Sequence, residues 1–217
     1  MTSAPTTIRL LDLHKDEVVD ALLHTGLTEG QIRTAQEEWE PIRKASIERL
    51  LKEGHPLGEL PRHWGWDWTR KIKQLGNPLL GFYGIECEGK MQGLLEVAKE
   101  GYLAKLPEQK GKPLIYVKYI ETAPWNIKLL DPKPHYGGIG SRLMRIAIEL
   151  SHTEDCKGRV GLHSLPGDKK GEPEWFYRHV CKMEPMESER DGEGLLYFEL
   201  TPEKANEFMK GGKDENA

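Results

Sequence analysis

The stretch Tyr136-Gly137-Gly138-Ile139-Gly140-Ser141-Arg142 holds the residue types best suited to binding chemistry in this sequence. Glycines at 137, 138 and 140 let main-chain N–H groups turn outward without a Cβ in the way, and the helix expected after them aims its positive dipole end at the same place. Such a turn cradles phosphate. Each charge-assisted hydrogen bond there contributes about 1.5–3 kcal/mol, so several together anchor a pyrophosphate and point to an anionic cofactor. No Lys-Ser/Thr pair closes the turn, which disfavours a nucleotide-triphosphate loop. The strands expected before it are antiparallel, which disfavours a dinucleotide fold.

The elements that must position this turn can be read from hydrophobic spacing. Residues 16–75 repeat apolar positions at helical intervals (Val18, Val19, Leu22, Leu23, then Ile32, Ala35, Trp39, Ile42 and Leu50), so the first third is expected to be helical. Thr28 and Gln31 have the form of a capping box, and Gly54 supplies a stop. Pro41 implies either a kink near Glu40 or a second helix starting there. Residues 61–75 are expected to form a further helix although Trp64, Trp66 and Trp68 alternate. Residues 79–87 and 90–98, separated by Glu88-Gly89, predict a hairpin. A strand follows over 114–122, then a long loop after Pro124, an amphipathic helix over 138–151, a strand over 159–165, a short helix over 173–180 and a last strand over 195–200. Residues 210–217 are expected to be a polar tail.

With those elements in place, the sequence resembles the GNAT superfamily of acyl-coenzyme A dependent N-acyltransferases. The likeness rests on three features in order. His135-Tyr136-Gly137-Gly138-Ile139-Gly140 is similar to the family's Q/R-x-x-G-x-G/A turn, with His135 where Gln or Arg is usual; Ile120-Glu121-Thr122-Ala123-Pro124 is similar to its strand-then-Pro entry; and Trp175-Phe176-Tyr177 is similar to its later Phe-Tyr pair. It covers residues 76–200. The loop over 125–137 is longer than the family's, and Lys182-Met183 stands where Gly-Phe is frequent.

The resemblance implies an α/β (α+β) fold: a mixed, mostly antiparallel sheet flanked by helices, with a helical N-terminal extension. The expected division is a helical region over 1–76, an acetyltransferase domain over 77–203, and a terminal helix or polar tail over 204–217. It further implies acetyl-CoA as acyl donor, direct attack by a primary amine in a ternary complex, a pantetheine arm inserted between two splayed strands beside Thr122 and Ala123, and pyrophosphate held by Gly137, Gly138, Ile139, Gly140 and Ser141.

Roles for individual side chains remain weighed against plainer ones. Glu121 is a candidate base, with a solvent-facing strand residue or a partner of Lys118 as the alternative. Tyr177 resembles the family tyrosine that protonates the departing thiolate; otherwise it is a core aromatic. His135 is either a phosphate contact or a solvated loop residue. The tryptophans at 64, 66 and 68 are read first as helix packing; the alternatives are stacking for nucleic acid beside Arg62, Arg70, Lys71 and Lys73, or walls of an acceptor pocket, a role also open to Trp125. The acidic run Glu184, Glu187, Glu189, Asp191, Glu193 is either a steering surface for a cationic amine or a solvated loop.

Composition narrows the classes further. With 31 Lys+Arg against 35 Asp+Glu in 217 residues the net charge is −4, so a nucleic-acid partner is disfavoured. The three cysteines lack C-x-x-C spacing, and the histidines lack H-E-x-x-H, so neither a disulfide framework nor a metal site is expected. No stretch is apolar enough for a membrane span, and a cytoplasmic setting is expected. A homodimer is compatible with these features. The expected function is thus acetyl transfer to a small-molecule or peptide amine. The alternatives are a non-catalytic acyl-CoA sensor or scaffold and, behind it, a toxin acetylating aminoacyl-tRNA.

Overall fold

The computed structural model describes residues 4–56 and 62–211. Among the described residues, nine strands hydrogen-bond in the order β6-β1-β2-β3-β4-β5-β7-β9-β8. The chain divides into two compact units, one of Met1–Asn77, Phe82–Leu94 and Glu121–Ile139, the other of Pro78–Gly81, Leu95–Ile120 and Gly140–Ala217.

The first unit opens with an antiparallel hairpin, β1 (Thr6–Asp12) and β2 (Glu17–Thr25). This corrects the helix expected from residue 16 onward. Val18 with Leu22 and Val19 with Leu23 are four apart, a spacing that suits one face of a helix and one face of a strand alike. Two β-branched valines and a ready partner strand decide it. Asp12 closes the hairpin, its Oδ1 accepting from the main-chain N–H of His14 (2.9 Å) and Lys15 (3.1 Å).

Helix α1 (Glu29–Lys52) begins at the capping box, where Thr28 and Gln31 satisfy each other's main-chain N–H groups, and it continues through Pro41 as one helix. Its apolar stripe of Ile32, Ala35, Trp39, Ile47 and Leu50 is buried. The helix expected over 61–75 is two tight 3₁₀ segments, Arg62–Gly65 and Trp68–Gln74, the second capped by Asp67. Strands β3 (Leu80–Cys87) and β4 (Lys90–Ala98) form where the Glu88-Gly89 turn places them, both turn residues having positive φ.

The loop after β5 (Ile115–Thr122) is long yet ordered by one buried amide. Gln92 Oε1 accepts from Trp125 Nε1 (2.7 Å) and Asn126 Nδ2 (3.0 Å), while Asn126 Oδ1 accepts from the N–H of Tyr136 (3.0 Å). Strand β6 (Tyr136–Gly137) then pairs with Leu11 and Asp12 of β1. The unforeseen hairpin therefore braces the start of the glycine turn.

In the second unit, helix α2 (Ile139–Thr153) follows the turn and buries Leu143, Met144, Ala147 and Ile148. β7 (Val160–Ser164) pairs in parallel with β5 and antiparallel with β9 (Leu196–Leu200). Gly161 is required beside β9, since a Cβ there would lie 2.5 Å from the Tyr197 hydroxyl. The buried Glu199 carboxylate fastens the preceding connection, accepting from the N–H groups of Lys105 (2.7 Å) and Leu106 (3.2 Å), from Gln109 Nε2 (2.6 Å) and from the Tyr197 hydroxyl (2.7 Å).

The acidic run is not a solvated loop over its first part: β8 (Glu184–Arg190) is an edge strand. Its charges discourage edge-to-edge pairing, and they are engaged within the unit, Glu184 by Lys204, Glu187 by Arg178 and Glu189 by Lys105. Helix α4 (Pro202–Gly211) ends the described chain. The tail expected over 210–217 lies outside the described residues from 212 onward.

Candidate active site

In the second unit two neighbouring strands pair over only part of their length. Parallel pairing joins Ile115, Tyr116 and Val117 of β5 to Val160, Gly161 and Leu162 of β7, and no pair follows although both strands continue. The β5–β7 ladder thus covers only the first part of β5. A strand that runs on past its ladder accepts an extended chain bearing amides.

One expected participant is otherwise engaged. Ala123 is wholly buried, its N–H donates to the Gln92 carbonyl (2.9 Å), and its own carbonyl accepts from the Asn126 N–H (2.9 Å). The expected backbone pairing at Ala123 is therefore not supported, whereas Thr122 stays half-buried.

Past β6, Gly138 takes φ +75° and has open space where a Cβ would stand, and α2 starts at the next residue. Fifteen residues of helix place their N-terminal N–H groups at this turn, with Ser141 half-buried in the first turn. Gly140 serves a different purpose: a Cβ there would lie 3.2 Å from Phe176 Cζ, so the glycine admits the aromatic ring against α2. An open, N–H-lined, left-handed turn fits a pyrophosphate.

The Phe-Tyr pair sits where α3, the single turn Pro173–Trp175, widens into a π-type turn over Phe176–Val180, closed by the Cys181 N–H on the Phe176 carbonyl (3.0 Å). Tyr177 is buried, with ring contacts to Phe176 and Phe198, and burial raises its hydroxyl above the ordinary tyrosine range, so it stays protonated at neutral pH. Cys181 is buried, and burial likewise raises its thiol, which makes it a poor nucleophile.

In the first unit Glu121 is neither solvent-facing nor a partner of Lys118, which instead lies 3.0 Å from Glu96. It is 3% exposed. Arg43 Nη1 donates to Oε1 (2.8 Å) and Trp68 Nε1 to Oε2 (2.6 Å). Burial pushes the carboxyl up to about 7, while Arg43 and Trp68 pull it back. Burial, with Arg43 beside it, pushes His63 down to about 4, so its imidazole is neutral at pH 7. Arg43 Nη2 and His63 Nε2 are buried without hydrogen-bond partners.

Sequence reasoning missed Arg43 and Gln92. Arg43 follows Trp39 by four residues on the buried stripe of α1, a charged residue on an apolar face, and Gln92 interrupts an apolar strand. Those interruptions were the available signals. Of the remaining expectations, His135 is held by its main chain, its carbonyl accepting from Leu13 N–H (2.8 Å) and its N–H donating to Trp125 O (3.2 Å), with its ring edge-on to His14 at 4.6 Å. Trp68 and Trp125 are core residues, while Trp64 is exposed.

No protein-family model matches the sequence, and no curated protein does. Among the solved structures that resemble the chain in fold are the following two. The GNAT domain of S. lividans PAT aligns over 90% of this chain and 96% of its own, with TM-score 0.54 and 12% identity. An uncharacterized protein from Bacillus halodurans aligns over 99% and 98%, with TM-score 0.56 and 11% identity. At such identities the likeness is one of fold.

Proposed function

From the GNAT fold that this chain carries, we propose that it is an acyl-CoA dependent N-acyltransferase that moves an acetyl group to a primary amine. One observation carries the reading: β5 and β7 pair over only the first part of β5, in a chain whose glycine turn opens straight into α2. Acetyl-CoA would supply an activated thioester. Gly137, Gly138, Ile139, Gly140 and Ser141 would hold its pyrophosphate through main-chain N–H groups at the α2 terminus. Thr122 and the part of β5 beyond its pairing with β7 would hold its pantetheine amides.

Tyr177, kept protonated by burial, supplies the proton that a departing thiolate takes up. Glu121, near the midpoint of its titration at neutral pH, has the basicity a proton acceptor needs. Both its oxygens already accept one hydrogen bond, so it takes the amine proton through water on a remaining lone pair rather than by facing the amine directly. That same clamp favours one second reading, a protein that binds acyl-CoA without transferring the acyl group.

The test is thermal unfolding with and without acetyl-CoA, followed by thiol release with a panel of amines. Ligand at about 100 times its Kd stabilises by about 2.7 kcal/mol. For a chain of this size that is on the order of 5–10 °C in Tm. A shift with thiol release supports the transferase; a shift with no release from any amine supports the non-catalytic binder. No shift in folded protein overturns both.

A further inference from the structure

Among the described residues, the hairpin β1/β2 has one face whose apolar side chains stay partly exposed. Along β1 the side chains of Ile8, Leu10 and Asp12 turn inward with Val19, Ala21 and Leu23 of β2, while Thr7, Arg9 and Leu11 share the other face with Val18, Asp20 and Leu22. The outward set is not the polar one expected of a solvated antiparallel face. Leu11 is 39% exposed, Val18 48% and Leu22 37%, and Leu13, just beyond β1, is 44% exposed. Past Leu13 the stripe runs into a shallow cleft of about 440 Å3 lined by Leu13, His14, Lys133 and Pro134. Grouped apolar exposure of this kind marks a contact surface.

The register says what fits it. Arg9 stands directly opposite Asp20, Leu11 opposite Val18 and Thr7 opposite Leu22. A twofold axis parallel to the strands and midway between them lays β1 of one chain over β2 of another, at the roughly 10 Å separation of packed sheets. Arg9 then faces Asp20 of the second copy, Asp20 faces its Arg9, and Leu11 packs on its Val18. The face is its own complement in charge and pairs apolar with apolar, as an isologous interface requires. We propose that this hairpin face is the dimer interface of the protein, and that its occupant is a second copy of the same chain. The inference rests on the hairpin alone and is independent of the proposed activity.

Particle mass in solution tests it on the full chain. The wild-type protein is expected at twice the chain mass of 24.8 kDa, and Val18→Glu at one chain per particle with cooperative unfolding retained. The double exchange Arg9→Asp with Asp20→Arg keeps opposite charges within the hairpin and across the twofold axis, so it is expected to dimerise with itself. Mixed with wild type it sets Arg against Arg and Asp against Asp, so native mass spectrometry after long mixing is expected to show two homodimers and no heterodimer. A wild-type monomer up to the solubility limit overturns the proposal, whether or not the face binds some other protein. So does a Val18→Glu variant that stays dimeric, and free exchange between the charge-exchanged and wild-type chains overturns the twofold arrangement.

Discussion

Arg43 of α1 and Glu121 of β5, 78 residues apart in sequence, meet in a buried ion pair of 2.8 Å. Taking both charges out of water is costly, and their attraction offsets that cost only while both are present. Removing one strands the other. Arg43→Met is therefore expected to lower unfolding stability by about 3–5 kcal/mol. Because Arg43→Met with Glu121→Leu leaves no uncompensated charge, the double variant is expected to be more stable than Arg43→Met alone, as read by denaturant unfolding. With Glu121→Leu alone completing the cycle, a double variant whose loss equals the sum of the two single losses would mean that the pair is not coupled.

The same cluster predicts a pH dependence with a definite sign. Glu121 titrates near 7 when folded against an ordinary value of 4.5, so its contribution is full below about 4.5 and is lost as pH rises through 7. His63 runs the other way, near 4 when folded against 6.5, so its contribution is full above about 6.5 and is lost as pH falls toward 4. Glu121→Gln removes the first effect alone. Between about pH 5 and about pH 8 the Tm difference between this variant and wild type is expected to move in favour of the variant. A difference that is flat with pH would show that Glu121 is not raised by burial.

Gly140 and Phe176 make a packing prediction. An alanine at 140 puts its Cβ at 3.2 Å from Phe176 Cζ, so the ring must give way by a few tenths of an ångström. Gly140→Ala is expected to cost about 1–3 kcal/mol of stability. Phe176→Leu in the same chain should recover part of that loss, because the smaller side chain vacates the contact; thermal unfolding of the three variants decides it.

Tyr177→Phe tests the proton donor. The change leaves the ring packing against Phe198, so the acetyl-CoA induced shift in Tm is expected to persist. Turnover with an accepted amine is expected to fall by about 100-fold or more, the usual contribution of a positioned acid. Full turnover in the variant would remove Tyr177 from the mechanism and leave it a core aromatic.

Much of the scaffold around the candidate site was legible because it is encoded locally. The β3/β4 hairpin follows from two apolar runs and a Glu88-Gly89 turn, and α2 from its apolar stripe just after the glycines. The hairpin β1/β2 was misread because residues four apart lie on one face in either structure, so the partner strand had to decide. β8 was misread because an edge strand bears charge on purpose, which a linear reading takes for a loop.

What the sequence determined by itself is therefore the glycine turn, the helix it opens and the strand that leads to it, since backbone freedom and side-chain periodicity act over a few residues. The tertiary structure alone decided the setting of Glu121. Its two partners come from 78 and 53 residues away, and burial, a property of the folded whole, moves its titration to neutrality. It also decided that Ala123 is already bonded to Gln92 and that apolar side chains on one face of the first hairpin stay partly exposed. Charge and solvation depend on what surrounds a residue in space, and only the packed chain supplies that.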